Sequence, residues 1–164
     1  MIDLDCVIDE SAVVYDPTLC NLYGCWIDAG STIGPFVEIQ RGSVVGKFSK
    51  ICSHTFICGG VEIGDRVFVG HGVMFVNDLY PLLSRPSELE TTTIEDDVSI
   101  GSGSTILPVR VGQGAIIGAG TVVTKNVPPW SIIVGVPGRV VRQFSDLDER
   151  DAFVQRHGVD AGSR

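Results

Sequence analysis

Aliphatic residues recur every six positions along most of this chain. The series runs through Ile33, Ile39, Val45, Ile51, Ile57, Ile63, Val69 and Phe75, and it resumes at Ile94, Ile100 and Ile106. A period of six is neither the 3.6-residue period of an amphipathic helix nor the simple alternation of a half-buried strand. Glycine often follows the aliphatic residue, and a small or β-branched residue often stands two positions before it. Each unit therefore predicts one short strand and one turn.

Units of this kind cannot bury their apolar side chain alone, but stacked units close a continuous core. The pattern therefore predicts an all-β fold, a parallel β-helix. Near the start of the chain the spacing is less regular, since Cys20 and Ile27 are seven positions apart. We expect an irregular first coil there. A later unit, between Ile106 and Val111, is one position short.

The repeat is interrupted in the stretch FVGHGVMFVNDLYPLLSRP. Phe75 should be followed by an aliphatic residue at position 81, but the series resumes only at Ile94. We call the extra chain the excursion, and we expect a loop there from about Asp78 to Glu90. Loops of this length without structure of their own are usually functional or disordered. His71 and Asn77 stand just before it and are the first candidates for chemistry.

The repeat pattern ends after Val123. Proline and glycine turns then enclose one last extended piece, Ser131 to Val134. The following segment has acids at its front, basic residues at its end and Gly158 as a stop, which predicts a short helix from about Asp146 to His157. The predicted organisation is a β-helix over 1–142, a C-terminal helix region over 143–158 and a flexible tail over 159–164.

Composition narrows the function classes. With 164 residues, 44% hydrophobic and 20% charged, the chain suits one soluble domain. The net charge is −8 and basic residues do not cluster, which argues against nucleic acid as a partner. No apolar run is long enough to span a bilayer, and the start MIDLDC is acidic, so we expect no membrane partner and a cytoplasmic protein. Five cysteines without a CxxC pair are expected to be reduced and mostly buried.

The repeats over residues 8–142 resemble the hexapeptide-repeat acyltransferases. The resemblance implies a left-handed β-helix with three units per triangular coil, and a homotrimer with active sites between chains. Handedness rests on the resemblance alone, because crossovers between parallel strands are normally right-handed. Two segments, IGPFVEIQRGSVVGKFSKICSHTFICGGVEIGDRVFVGHGVMFVNDLYP and ETTTIEDDVSIGSGSTILPVRVG, are most similar to N-acetyltransferases that act on a 3-amino group of nucleotide-linked sugars.

With three units per coil, every third unit should stack, once the excursion and the short unit are allowed for. The column through His71 then contains Pro35, Ser53, Ser102 and Ala119, and the neighbouring column through Asn77 contains Arg41, Gly59, Pro108 and Lys125. Because parallel strands lie about 4.8 Å apart, Ala119 should lie about 10 Å from His71. A thioester carrier along this groove could bring its acyl end to the histidine.

The resemblance implies direct attack of a neutral sugar amine on the thioester of acetyl-CoA, in a ternary complex and without a metal. Histidine is the side chain that changes charge near neutral pH, so His71 is the candidate general base. Asn77 would orient the amine through its amide carbonyl. The predicted substrate contacts are Glu38, His54, Asp78 and Tyr80. The nucleotide, UDP or dTDP, is left open.

The stretch IIGAGTVVTKNVPPWSIIVGVPGRVVR resembles the family's coenzyme A site. The residues implied as cofactor contacts are Ser102, Gly118, Ala119, Thr124, Lys125, Arg139 and Arg142. Of these, the three basic residues would bind phosphate groups.

Other functions fit the same fold. A trimeric scaffold or binding protein without catalysis is the main alternative. An O-acetyltransferase would differ only in its acceptor. A zinc hydrase requires three histidines at an interface, but only His54 and His71 fall within the repeats. A covalent nucleophile at Cys52 or Cys58 requires an adjacent activating base.

Overall fold

The computed structural model describes residues 1–80 and 90–158. Each predicted unit forms one short strand ending on its inward aliphatic residue. The strands are β1 (Val7–Ile8), β2 (Val13–Val14), β3 (Asn21–Leu22), β4 (Trp26–Ile27), β5 (Thr32–Ile33), β6 (Glu38–Ile39), β7 (Val44–Val45), β8 (Lys50–Ile51), β9 (Phe56–Ile57), β10 (Val61–Ile63), β11 (Phe68–Val69), β12 (Met74–Phe75), β13 (Thr92–Ile94), β14 (Ser99–Ile100), β15 (Thr105–Ile106), β16 (Arg110–Val111), β17 (Ile116–Ile117), β18 (Val122–Val123), β19 (Ser131–Val134) and β20 (Arg139–Gln143). A short 3-10 helix spans Pro17–Leu19, and the helix α1 spans Leu147–Gly158.

The strands form three sheets that make the sides of a triangular prism. Sheet 1 has the order β1-β4-β7-β10-β13-β16, sheet 2 has the order β2-β5-β8-β11-β14-β17-β19-β20, and sheet 3 has the order β3-β6-β9-β12-β15-β18. From β1 to β18 every third strand pairs in parallel, so three units make one coil, as predicted.

The stacking register agrees with the period of the sequence. Ile63 pairs with Val45 of the coil before and with Ile94 of the coil after, so the whole excursion is inserted without disturbing the stack. The expected short unit lies between the paired residues Ile94 and Val111. Residues 81–89 of the predicted loop are outside the described part of the chain. In the first coil Ile8 pairs with Ile27, one position beyond the regular spacing, which confirms that this coil is irregular.

The core is a column of aliphatic side chains along the prism axis. Ile27, Ile33 and Ile39 are fully buried, as are their counterparts in later coils, and burial of each such side chain contributes about 1.5–3 kcal/mol. The small polar residues two positions earlier are also buried, and the hydroxyls of Ser31, Ser43, Ser49 and Thr55 donate to backbone carbonyls of the next coil, whereas the Thr121 hydroxyl has no such partner among the described residues. For example, Thr55 Oγ1 donates to the Gly70 carbonyl at 3.0 Å. These hydrogen bonds satisfy polar groups that would otherwise be costly to bury.

The C-terminal segment departs from the repeat. The extended piece Ser131–Val134 is confirmed as β19, but it is followed by β20, an antiparallel strand that the sequence did not predict. The helix spans Leu147–Gly158, within one position of the predicted Asp146 to His157 at each end, and Asp146 caps it by accepting from the Glu149 backbone N–H at 2.9 Å. The predicted tail over 159–164 lies outside the described residues. In the described ranges, no helix is long and apolar enough to cross a membrane.

Candidate active site

Two edges of the prism carry the predicted catalytic residues. The first, the His71 edge, is where sheet 2 turns into sheet 3. Ser53 Oγ lies 2.8 Å from His71 Nδ1, and the backbone N–H of His71 donates to Ser102 Oγ at 3.1 Å. The Gly120 N–H donates to the Ser102 carbonyl at 2.9 Å, which places Ala119 on the same edge. The predicted column through His71 is therefore confirmed.

The later coils of the His71 edge are open. Gly72, Gly103 and Gly120 stand next to His71, Ser102 and Ala119 with φ angles of +65°, +70° and +68°, and a Cβ placed on any of the three glycines would meet no heavy atom within 4 Å. This bare strip of backbone runs from His71 toward the C-terminal end of the prism. We call it the glycine groove.

Asn77 lies on the second edge, where sheet 3 turns toward sheet 1. Its Nδ2 donates to the Gly59 carbonyl at 2.9 Å, as its column predicts, and its backbone carbonyl accepts from the Glu90 N–H at 3.0 Å. Asn77 directly precedes the excursion, and its carbonyl binds Glu90, where the described chain resumes. The two ends of the excursion are therefore joined at Asn77. With Nδ2 engaged, the amide oxygen is the atom suited to accept a hydrogen from a ligand.

The two edges are separate within one chain. His71 precedes β12 at the turn from sheet 2 into sheet 3, and Asn77 follows β12 at the turn from sheet 3 toward sheet 1. The columns that the sequence presents as neighbours are therefore two corners of the triangle. A single chain does not bring the two side chains onto one site.

The predicted substrate residues divide between these places. His54 is at the His71 edge, with its ring 4.8 Å from that of Phe36. Asp78 and Tyr80 follow Asn77, and Asp78 Oδ1 accepts from the Tyr80 N–H at 2.9 Å. The Tyr80 side chain is 82% exposed. Glu38 lies on the face of sheet 3 between the edges, where it accepts from Gln40 Nε2 at 3.2 Å.

The predicted cofactor residues fall in more than one place. Ser102 and Ala119 line the glycine groove beside Gly118. Thr124, Lys125 and Arg139 line a pocket of about 330 Å³ at the C-terminal end of the prism, where Lys125 continues the Asn77 column and Arg139 belongs to β20. Two cations in one pocket can bind an anionic group such as a phosphate.

Arg142 does not join this pocket. Its guanidinium lies 4.3 Å from the ring centroid of Phe153 and 5.1 Å from that of Phe144. It lines a different pocket with Glu149 and His157. The position of α1 determines where the Arg142 side chain lies, because Phe153 belongs to this helix.

The cysteines are not disposed for covalent catalysis. Four of the five are buried and Cys6 is half-buried, and all are free thiols. Burial raises the pKa of Cys52, raises that of Cys58 to about 11, and raises that of Cys25 to about 12 with a contribution from Cys6. A thiol must ionise to act as a nucleophile. Among the residues that the structure describes, no group of three histidine, cysteine or acidic side chains could hold a metal ion.

Sequence reasoning missed a small pocket on the other side of His71. It has a volume of about 180 Å³, and its lining includes Tyr15, Pro35, Lys50 and Ser53. Lys50 occupies the outward position of its hexapeptide, a signal that would have marked it as exposed but not as a neighbour of His71.

Comparison with known proteins agrees with the repeat assignment. A family model described as the hexapeptide repeat of succinyl-transferase matches residues 91–125. The bifunctional protein GlmU of Thermotoga petrophila is 37% identical over an alignment that covers 90% of this chain and 35% of that protein. The chain thus spans about a third of the length of the curated relatives it matches.

Solved structures share the fold. A hexapeptide-repeat acetyltransferase from Vibrio cholerae, complexed with acetyl coenzyme A, superimposes with a TM-score of 0.67 at 25% identity, over 76% of this chain and 73% of that chain. A variant of perosamine N-acetyltransferase from Caulobacter crescentus, in complex with CoA and GDP-perosamine, has a TM-score of 0.61 over 84% of this chain and 57% of that chain; at 22% identity it supports the fold alone. The fold is therefore the predicted left-handed parallel β-helix. The chain therefore carries hexapeptide repeats and is similar, over most of its length, to acetyltransferases built from them.

Proposed function

We propose that this chain transfers the acetyl group of acetyl-CoA to an amino group of a nucleotide-linked amino sugar. The observation that carries the proposal is the position of His71 at the start of the glycine groove, which leads toward the C-terminal end of the prism, where Lys125 of the Asn77 edge and Arg139 of β20 line one cationic pocket. A long thioester with phosphate groups at its far end matches that path. The acetyl coenzyme A bound to the Vibrio cholerae relative supports the choice of cofactor.

The sugar acceptor rests on sequence likeness. Residues 33–81 and 90–112 resemble N-acetyltransferases of 3-amino sugars, and both segments contribute to the two edges described above. Glu38, His54, Asp78 and Tyr80 are proposed as acceptor contacts. The cytoplasmic location and the absence of a metal stay predictions.

His71 is proposed as the general base. If Nδ1–H donates to Ser53 Oγ, Nε2 carries the free lone pair and can accept the proton released as the amine nitrogen bonds to the acetyl carbon. The C–S bond then breaks, and the proton passes from Nε2 to the departing thiolate. Acetyl-CoA supplies only the activated acyl group. Asn77 would accept a hydrogen bond from the amine and so orient its lone pair.

We propose that a homotrimer completes the site. Because His71 and Asn77 lie on different edges of one prism, the His71 edge of one copy would have to face the Asn77 edge of the next. Cyclic assembly repeats such a contact three times, so that every His71 edge faces an Asn77 edge.

Turnover should be tested with a thiol-release assay on UDP- and dTDP-linked 3-amino and 4-amino sugars, with product mass spectrometry. We expect a mass gain of one acetyl group on at least one amine. His71→Gln and Asn77→Ala should each lower kcat/KM by about 100-fold or more. Failure of every amine together with absence of CoA binding by calorimetry would favour the scaffold, and turnover on hydroxyl sugars alone would favour O-acetylation.

Co-expression of the two inactive variants tests the shared site. If each site takes His71 from one copy and Asn77 from the next, random mixing restores both groups in about a quarter of the sites of a closed cyclic trimer. Activity near that fraction of the wild-type value is expected. No recovery in mixed trimers would mean that both residues act within one chain, or that one of them is not catalytic.

A further inference from the structure

The small pocket beside His71 extends toward the N-terminal coils, whereas the glycine groove extends toward the C-terminal coils. The lining of the pocket includes Tyr15, Pro35, Lys50, Ser53 and His71, so the pocket reaches from the His71 coil toward the N-terminal coils. The cofactor path leaves His71 toward Ala119 and the C-terminal end. A ligand in the small pocket therefore approaches the imidazole from the side that the proposed thioester does not occupy.

Lys50 is the charged group of this pocket. On the outer face of sheet 2 it stands between Thr32 on one side and Phe68 on the other, and neither carries charge. Within residues 1–80 and 90–158, its ammonium makes no hydrogen bond or ion pair with another residue. In contrast, Arg66 and Arg110 are each paired with acidic side chains. In a chain with a net charge of −8, an unpaired cation next to a candidate base is available to an anionic ligand.

The size of the pocket limits what it can hold. Sites for whole drug-sized ligands usually exceed about 300 Å³, and this pocket has about 180 Å³. It can therefore accept one charged portion of a larger molecule. The exposed ring of Tyr15 at its margin offers a surface on which a planar group can pack.

We propose that Lys50 binds the diphosphate of the acceptor, with Tyr15 against the nucleoside, so that the sugar amine is directed to His71. This inference rests on the proposed function and adds a specificity-determining residue to it. The diphosphate is the part of a nucleotide-linked sugar that a lysine ammonium recognises best, as a point charge with three donors. Lys50 would contribute to acceptor binding and not to the chemical step.

Calorimetry with UDP and dTDP tests the proposal on the full chain. Uridine and thymidine, which lack the diphosphate, are the uncharged controls. The variant is Lys50→Gln. The matched control is Lys47→Gln, which removes the same charge three positions away, outside the pocket. We expect at least one diphosphate to bind the wild-type protein, Lys50→Gln to weaken that binding about tenfold, and Lys47→Gln to change it less than about twofold. Raising salt from about 0.05 M to about 0.3 M should weaken diphosphate binding to the wild type more than to Lys50→Gln.

Equal affinities of the two variants for the diphosphate, or no diphosphate binding by the wild type, would overturn the proposal. A loss of CoA affinity in Lys50→Gln, with diphosphate binding intact, would also overturn it, because the pocket would then serve the cofactor. Acetylation of the amino-sugar panel by the wild type is measured separately. If it succeeds while Lys50→Gln keeps its KM for the acceptor, this inference fails and the proposed function stands.

Discussion

Ser53 and His71 stand one above the other on consecutive coils, with Ser53 Oγ 2.8 Å from His71 Nδ1. The contact joins equivalent positions of the two coils, one full turn of the β-helix apart. It fixes the orientation of the imidazole ring and selects which nitrogen faces a ligand. Ser53 is therefore expected to act as a positioning residue for the proposed base.

Ser53→Ala should lower kcat/KM for the amine about 5- to 10-fold, because the ring loses its hydrogen-bonded partner. Ser53→Thr keeps the hydroxyl and should restore most of the activity. The split between kcat and KM is the deciding readout, since Ser53→Ala should lower kcat and leave the KM of the amine unchanged, and Ser53→Thr should restore kcat. A raised KM with an unchanged kcat in Ser53→Ala would show that the contact serves acceptor binding and does not orient the base.

Gly114 and Trp130 show how tightly consecutive coils are packed. Gly114 has a φ of +66°, and a Cβ there would lie 2.1 Å from Cζ3 of Trp130. Gly114→Ala should lower the free energy of unfolding by about 3 kcal/mol or more, since overpacking adds to the cost of the left-handed backbone.

Gly42→Ala is the control, because Gly42 has a φ of +77° but no heavy atom within 4 Å of the new Cβ. It should cost only about 1–2 kcal/mol. Denaturant unfolding of both variants measures the difference. Equal losses would show that the Trp130 ring moves aside without penalty.

The ion pair between Arg66 and Asp97 should make stability depend on pH. The hydrogen bond from Arg66 lowers the pKa of Asp97 below its ordinary 3.8. A carboxyl whose pKa is lowered by folding stabilises the protein above its unfolded pKa, and that stabilisation is lost as the pH falls through the folded pKa.

Asp97→Asn should therefore cost about 1 kcal/mol at neutral pH, and the difference from wild type should vanish at pH values well below 3.8. Urea unfolding across the acidic range measures it. Glu62→Gln, at an exposed position of sheet 1, serves as the control for general charge removal. A difference for Asp97→Asn that persists at the lowest pH would assign the effect to packing.

The buried thiols should resist alkylation in the folded protein. Burial raises the pKa of Cys58 to about 11 and that of Cys25 to about 12, and it also raises the pKa of Cys52. Near neutral pH these groups hold almost no thiolate. Iodoacetamide should leave all three unmodified by mass spectrometry and should leave acetyl transfer intact, whereas all should react in denaturant. Rapid modification of Cys52 with loss of activity would instead point to a covalent acyl-enzyme.

Much of the site geometry follows from the six-residue period. The pairing of Ile63 with Ile94 across the excursion and the contact between Ser53 and His71 both result from stacking every third unit. The strand Ser131–Val134 is also predicted, because proline and glycine turns enclose it. β20 was not predicted, since all of its residues are exposed and so leave no apolar period.

The period determines which side chains point inward and which residues stack, because burial of one aliphatic residue per unit allows only one register. It does not determine which outward groups share a site. That depends on how three strands close into a triangle, which separates His71 from Asn77, and on where α1 packs, which takes Arg142 to the ring of Phe153. The pocket of Lys50 beside His71 arises in the same way, since surface side chains are brought together only when coils stack and edges form.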